Sequence, residues 1–181
     1  MKKLKLAKSG YILISIVFYI IGLFCIFFPE TITENAEIAA GIILIAYGII
    51  KIIGYFSGDL YCLAFQHDFA CGIFLIALGV IMLCLRNRVD TAYFLTPLGV
   101  LILLDSLLCV QTSLDARKFG MTKWKTILVF SAVSGFFSIF LIIRDTVMMA
   151  GFALLAEGAM KHYIVHCTVY KPDTENGADG K

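Results

Sequence analysis

The stretch that decides the fold is Gly41-Ile42-Ile43-Leu44-Ile45-Ala46-Tyr47-Gly48, with Lys51 close behind it. Its two glycines are seven residues apart, so on a helix they lie on one face, two turns from each other. The same step returns as Gly99 to Ser106 and as Gly151 to Gly158. Each time the surroundings are continuously apolar, and another apolar segment of similar length comes just before. Two of these earlier segments carry the step as well, Ser15 to Gly22 and Gly72 to Gly79. The chain therefore reads as three copies of a two-helix unit.

Composition says where such helices must live. Of the 181 residues, 60% are hydrophobic and 15% charged, against about 25% charged in a soluble domain. The chain lacks the polar surface to cover a water-facing globule. Its apolar residues fall in six runs, Gly10–Phe28, Ala36–Phe56, Phe69–Leu85, Tyr93–Val110, Thr126–Ile143 and Thr146–Val165. These are near the ~20 residues that a ~30 Å hydrocarbon layer requires of a helix. None alternates with period two, which argues against a transmembrane barrel. The expected fold is an all-α integral membrane protein, six transmembrane helices arranged as three hairpins over about 10–56, 69–110 and 126–165. A basic N-terminus (1–9) precedes this 10–169 membrane domain, and a disordered tail (170–181), rich in polar residues, follows it.

Charge gives the orientation. With the N-terminus cytoplasmic, six spans place Lys2, Lys3, Lys5 and Lys8 on the same side as Arg117, Lys118, Lys123 and Lys125 and the tail lysines. Only Arg86, Arg88 and Arg144 of the 15 basic residues fall outside. The positive-inside rule then selects a cytoplasmic N-terminus and C-terminus. The same lysines need no nucleic-acid partner to explain them. The start resembles a signal peptide but is too long and has no small-x-small cleavage site, so it reads as a retained first helix.

The six cysteines are scattered without a C-x-x-C pair and read as small packing residues. His162 and His166 have a spacing that can hold zinc, yet no third ligand is near, so no metal and no cofactor is expected. There is no phosphate loop, nucleophile elbow or Ser-His-Asp set, so no catalytic residue is assigned and an enzyme is not expected. His67-Asp68 reads as an interfacial helix start. The 111–125 loop, with Lys123-Trp124-Lys125 as an interface anchor, is the candidate surface for a cytoplasmic partner. The other expected partners are the lipid bilayer and a second copy of the chain.

The glycines at 22, 41, 48, 72, 79, 99, 135, 151 and 158 (Gly22, Gly41, Gly48, Gly72, Gly79, Gly99, Gly135, Gly151, Gly158) read as packing notches, because lipid supplies no hydrophobic drive for helix association and close backbone approach must replace it. Pore lining is the alternative reading. Buried charge is the feature that invites chemistry. Registering the copies on their glycines puts Asp105 opposite Glu157 and Lys51 opposite Lys161. Each such charge costs about +2.5–3.5 kcal/mol at a helix centre and tends to pair or face a cavity. Glu157 and Lys161 stand four apart in the favourable order; Lys51 is the natural partner for Asp105 across the bundle. Such a network can simply orient helices, or it can respond to protons or conduct ions.

In the frame GLFCIFFPETITENAEIAAGIILIAYGI, the succession Gly22, Pro29, Gly41, Gly48 resembles the short hairpin repeat of the HdeD family of bacterial acid-resistance membrane proteins. Gly72, Gly79, Gly99, Asp105 and Gly135, Gly151, Gly158 fit the pattern more loosely. The resemblance implies six spans in a bacterial inner membrane and a connection with acid stress, and it supplies no molecular activity. A small proton, ion or solute transporter is the alternative function.

Overall fold

The computed structural model describes residues 2–31, 34–56, 68–85, 92–118, 120, 123–144 and 146–168. Six long helices account for nearly all of them: α1 (Lys2–Phe27), α2 (Glu34–Tyr55), α3 (Asp68–Leu85), α4 (Ala92–Lys118), α5 (Trp124–Arg144) and α6 (Val147–Thr168). A single 3-10 turn, Pro29–Thr31, follows α1 where proline ends it. The tail at 170–181, the linker at 57–67, the Arg86-to-Asp90 turn and Asp145 lie outside the described residues.

Four helices contain stretches long and apolar enough to cross a membrane: Ser9–Phe27, Asp68–Leu85, Phe94–Lys118 and Trp124–Arg144. In α2 the described apolar part is shorter, Ala40–Tyr55, and α6 carries Glu157, Lys161 and two histidines. The outer surface confirms the solvent: Leu13, Phe27, Val129, Phe136 and Ile143 are all more than half exposed. Meanwhile Lys51, Asp105, Glu157, Lys161 and several serines are buried. Apolar residues outside and charges inside is the arrangement lipid imposes, and the chain is a multi-pass membrane protein.

The tight helix pairs are not the expected hairpins. The closest packing joins α2 to α3, α4 to α5, and α6 back to α1, closing the six helices into a ring; α1 and α2 touch far less. The glycines cause this. A Cβ on Gly48 would lie 2.6 Å from the Gly72 carbonyl oxygen, and one on Gly79 2.7 Å from that of Gly41. Across α6 and α1, a Cβ on Gly151 would lie 2.7 Å from the Gly22 oxygen, and one on Gly158 3.2 Å from the Ser15 oxygen. Each even helix thus docks on the odd helix that follows it in the ring, and the first copy pairs with the last.

Between α4 and α5 serine takes over. Gly99 faces the Ser138 carbonyl at 3.3 Å, while a Cβ on Gly135 would meet only ordinary contacts, Ser106 Cβ at 3.6 Å being the nearest. Gly135 is therefore not a notch, and Ser131 and Ser138 occupy the positions that Gly72 and Gly79 hold in α3. The serines return their hydroxyls to their own helices, Ser15 to Tyr11 O at 2.8 Å, Ser106 to Ile102 O at 2.8 Å and Ser131 to Ile127 O at 2.9 Å. A serine so bonded offers its neighbour a small, satisfied surface.

Two further boundaries differ from expectation. Helix α1 already begins at Lys2, and α4 runs to Lys118, so most of the 111–125 loop is helix. The turn to α5 is made at Gly120, whose φ of 73° is left-handed and whose N–H donates to Arg117 O at 3.0 Å. Glycine adopts that conformation without strain, which is why it stops α4 there. Arg117 and Lys125 then stack on the Trp124 ring at 5.0 and 5.8 Å.

Gly48→Val should destabilise the folded protein by about 1–3 kcal/mol, because the added carbons collide with the α3 backbone. Gly135→Ala should be neutral or stabilising by up to about 1 kcal/mol, since it gains helix propensity in open space. Thermal unfolding of both variants in detergent checks the contrast.

Candidate functional site

The ring of helices has a repeating register that fixes what reaches its axis. Three residues after the first notch of each even helix stand Leu44, Ile102 and Leu154, all buried. Six residues after it stand Tyr47, Asp105 and Glu157, and ten after it Lys51, Cys109 and Lys161, again all buried. In the odd helices, Tyr11, Asp68 and Ile127 precede the first notch by four residues, and Phe18, Leu75 and Ser134 follow it by three. The three copies thus present equivalent positions to one axis, and the charged ones gather in two adjacent layers.

There the four sequence-assigned charges meet. Asp105 lies between both lysines: Lys51 Nζ is 3.0 Å from its Oδ1, and Lys161 pairs with its Oδ2. Glu157 stands farther from Lys161, 3.8 Å from Nζ to Oε1, so the pair within α6 is looser than the contact across the bundle. Its other oxygen accepts a hydrogen bond from Ser134 Oγ at 2.9 Å. The Asp105 and Glu157 carboxyls thus face the same ammonium group, Lys161.

A fifth charge completes the cluster. Asp68, the first residue of α3, is buried, and its Oδ1 takes Lys51 Nζ at 2.7 Å while Tyr11 OH donates to Oδ2. Sequence reading placed it at the membrane interface because it begins a helix and follows a histidine. Its register was the available signal, since Asp68 precedes Gly72 by the four residues that separate Tyr11 from Ser15. Tyr47 was missed in the same way, although it shares its position with Asp105 and Glu157. Its ring lies edge-on to Tyr11 and Phe18 and beneath Lys51 Nζ, 5.2 Å from the centroid.

Every helix contributes: Tyr11 from α1, Tyr47 and Lys51 from α2, Asp68 and Cys71 from α3, Asp105 and Cys109 from α4, Ser134 from α5, Glu157 and Lys161 from α6. Three carboxyls face two ammonium groups, a formal charge of −1 with all five ionised. Among the described residues, Tyr47 OH, Asp105 Oδ2 and Glu157 Oε1 are buried without a hydrogen-bond partner, the two carboxylate oxygens being held by the Lys161 charge instead. His162 and His166 are exposed on the far face of α6, away from the cluster.

Two cavities lie along the axis. The inner one, about 30 Å³, touches the cluster at Tyr47, Lys51, Asp105 and Glu157. The outer one, about 140 Å³, is lined by apolar side chains reaching Phe94 and Val147 near the starts of α4 and α6. Phe18, Leu44, Leu98 and Leu154 border both and form a neck between them.

Residues 13–84 match DUF308, a short repeat of unknown function. The matched segment runs from α1 through α3, and it agrees with the resemblance drawn from Gly22, Gly41 and Gly48. No curated protein and no solved structure matches the chain.

Asp105→Ala would leave two buried lysines without their shared partner, and breaking a buried ion pair from one side costs about 3–5 kcal/mol. Cys109→Ala, at the position equivalent to the lysines but uncharged, should cost far less. Equilibrium unfolding in detergent micelles compares the two.

Proposed function

We propose that this chain is a non-enzymatic, six-span protein of the bacterial cytoplasmic membrane that binds a proton at the Asp105 and Glu157 carboxyls and contributes to acid or envelope stress tolerance. One observation carries the reading: among the described residues, an apolar bundle surrounds three carboxyls and two ammonium groups. One bound proton brings this cluster to neutrality, and net charge is what hydrocarbon surroundings penalise. A proton placed between carboxyls that share a site also replaces a repulsive contact with a hydrogen bond.

Packing supports the reading of six crossings. Helix α6 is about 33 Å long at 1.5 Å per residue and lies along α1, as α2 lies along α3. A helix packed lengthwise on a crossing helix crosses with it. The distribution of basic residues supports both termini in the cytoplasm, with Trp124, Arg117 and Lys125 as anchors of the α4–α5 turn at that face. The same turn is the surface offered to a cytoplasmic partner, and the exposed apolar faces are offered to lipid or a second copy.

A second reading, a small proton or ion transporter, is favoured by the cavities that continue the cluster along the axis. Proton uptake separates the readings from a purely architectural cluster. Purified protein titrated from mildly alkaline to mildly acidic pH should take up one Glu157-dependent proton, absent in Glu157→Gln and in Asp105→Asn, with a matching carboxyl band in the infrared. Equal uptake by all three proteins would contradict the proposal. Wild-type liposomes that pass protons at a steady rate would favour the transporter.

A further inference from the structure

The two cavities differ in what they can contain, and the difference predicts a route. The inner one has about 30 Å³, whereas one water needs roughly 10–15 Å³ and two to four polar partners. Tyr47 and Glu157 line it together with Lys51 and Asp105, and Tyr47 OH and Glu157 Oε1 are buried with no hydrogen-bond partner among the described residues, Oε1 having only the looser ion pair with Lys161. It has both the room and the polar groups for water. The outer cavity is larger, about 140 Å³, but its lining is apolar throughout. A pocket lined only by apolar groups offers water no hydrogen-bond partner. Size and lining therefore give a wet inner site and a dry outer one.

On the side where α1 begins, Tyr11 OH and Lys51 Nζ both bind Asp68. On the other side, Phe18, Leu44, Leu98 and Leu154 line both the cluster's cavity and the outer one and stand between them. Along the lining helices the order is the same: charge or tyrosine, then the neck residue, then the cavity wall. In α2 this is Lys51, Leu44, Ala40; in α4 Asp105, Leu98, Phe94; in α6 Glu157, Leu154, Ala150.

We propose that the inner cavity is a water site that delivers a proton to Glu157 Oε1, and that the neck and the dry outer cavity form a hydrophobic gate between this water and the outer membrane face. This rests on the reading of the Asp105–Glu157 pair as the proton acceptor. When the gate wets, a water chain carries a proton inward, an O–H bond forms at Glu157 and the donating water is restored by the next along the chain. Hydrophobic constrictions close pores by dewetting, without any side chain plugging them. The groups facing Glu157 in this step are Asp105 and Cys109 from α4, Tyr47 and Lys51 from α2, Ser134 from α5 and Lys161 on its own helix. Tyr11, Asp68 and Cys71 complete the surroundings of the cluster.

Polar substitution at the neck tests the gate. Wild type, Leu154→Ser, Leu44→Ser and Leu98→Ser are reconstituted into liposomes holding a pH-sensitive dye, and external acid is added. Wild-type vesicles should stay tight, at least one folded neck variant should leak protons, and Glu157→Gln in the same chain should abolish that leak. Should Leu154→Ser fail to fold, as judged by circular dichroism and gel filtration, the other two sites carry the test. Folded neck variants as tight as wild type overturn the gate. A leak that survives Glu157→Gln overturns it too, since the opening would then bypass the acceptor. Tight neck variants combined with normal Glu157-dependent uptake would reject the route and leave the acceptor in place. Loss of that uptake from the wild type would reject the acceptor itself.

Discussion

Asp105 holds two lysines from two other helices, and the rest of the bundle is arranged so that it can. Lys51 reaches it from α2 and Lys161 from α6, while Lys51 also engages Asp68 at the head of α3. In hydrocarbon none of these groups can turn to solvent, so removing one strands the others at a cost that surface ion pairs never carry. The cluster therefore acts as a register lock. Dispersion and close backbone contact bring the helices together, but those forces tolerate sliding by a turn. The alignment of α2, α3, α4 and α6 in the bundle brings three carboxyls against two ammonium groups, and sliding any of these helices by a turn would part them.

The notches and the cluster divide the work between them. Small residues two turns apart let α2 meet α3, and α6 meet α1, at backbone contact distance, and the same residues set the azimuth of each helix. Once the notch face is committed to the neighbour, positions three, six and ten residues along fall toward the axis. This is why Tyr47, Asp105 and Glu157 are equivalent although their chemistry differs, and why Cys109 holds the position that Lys51 and Lys161 hold in the other copies. Ser134, at the position held by Phe18 and Leu75 in the other copies, supplies the hydroxyl that Glu157 binds.

Much of this was legible in the sequence. The seven-residue step from Gly41 to Gly48 identified the helices, their notch faces and the equivalence of Asp105 with Glu157. What it could not reveal is which neighbour a notch faces, because spacing within one helix carries no information about its partner. Pairing of a helix with its hairpin mate was the natural expectation, and the ring instead joins each even helix to the next odd one. Asp68 escaped for a related reason: a carboxylate at a helix start has an ordinary capping explanation, and only the register with Tyr11 points inward. Serine in place of glycine in α5 likewise hid the true notches behind the more conspicuous Gly135. The end of α4 was misjudged because polar residues from Gln111 to Lys118 suit a solvated helix as well as a loop.

Whether Lys51 and Asp105 act as one unit is the question on which the account turns, and a double-mutant cycle answers it. Unfolding free energies of wild type, Lys51→Met, Asp105→Asn and the double variant would be compared in the same detergent. Coupling of about 1–3 kcal/mol, with the double variant losing much less than the sum of the single losses, is the result the account predicts. Additive losses would mean that the two charges are held independently, and that the buried cluster does not lock the register of the bundle.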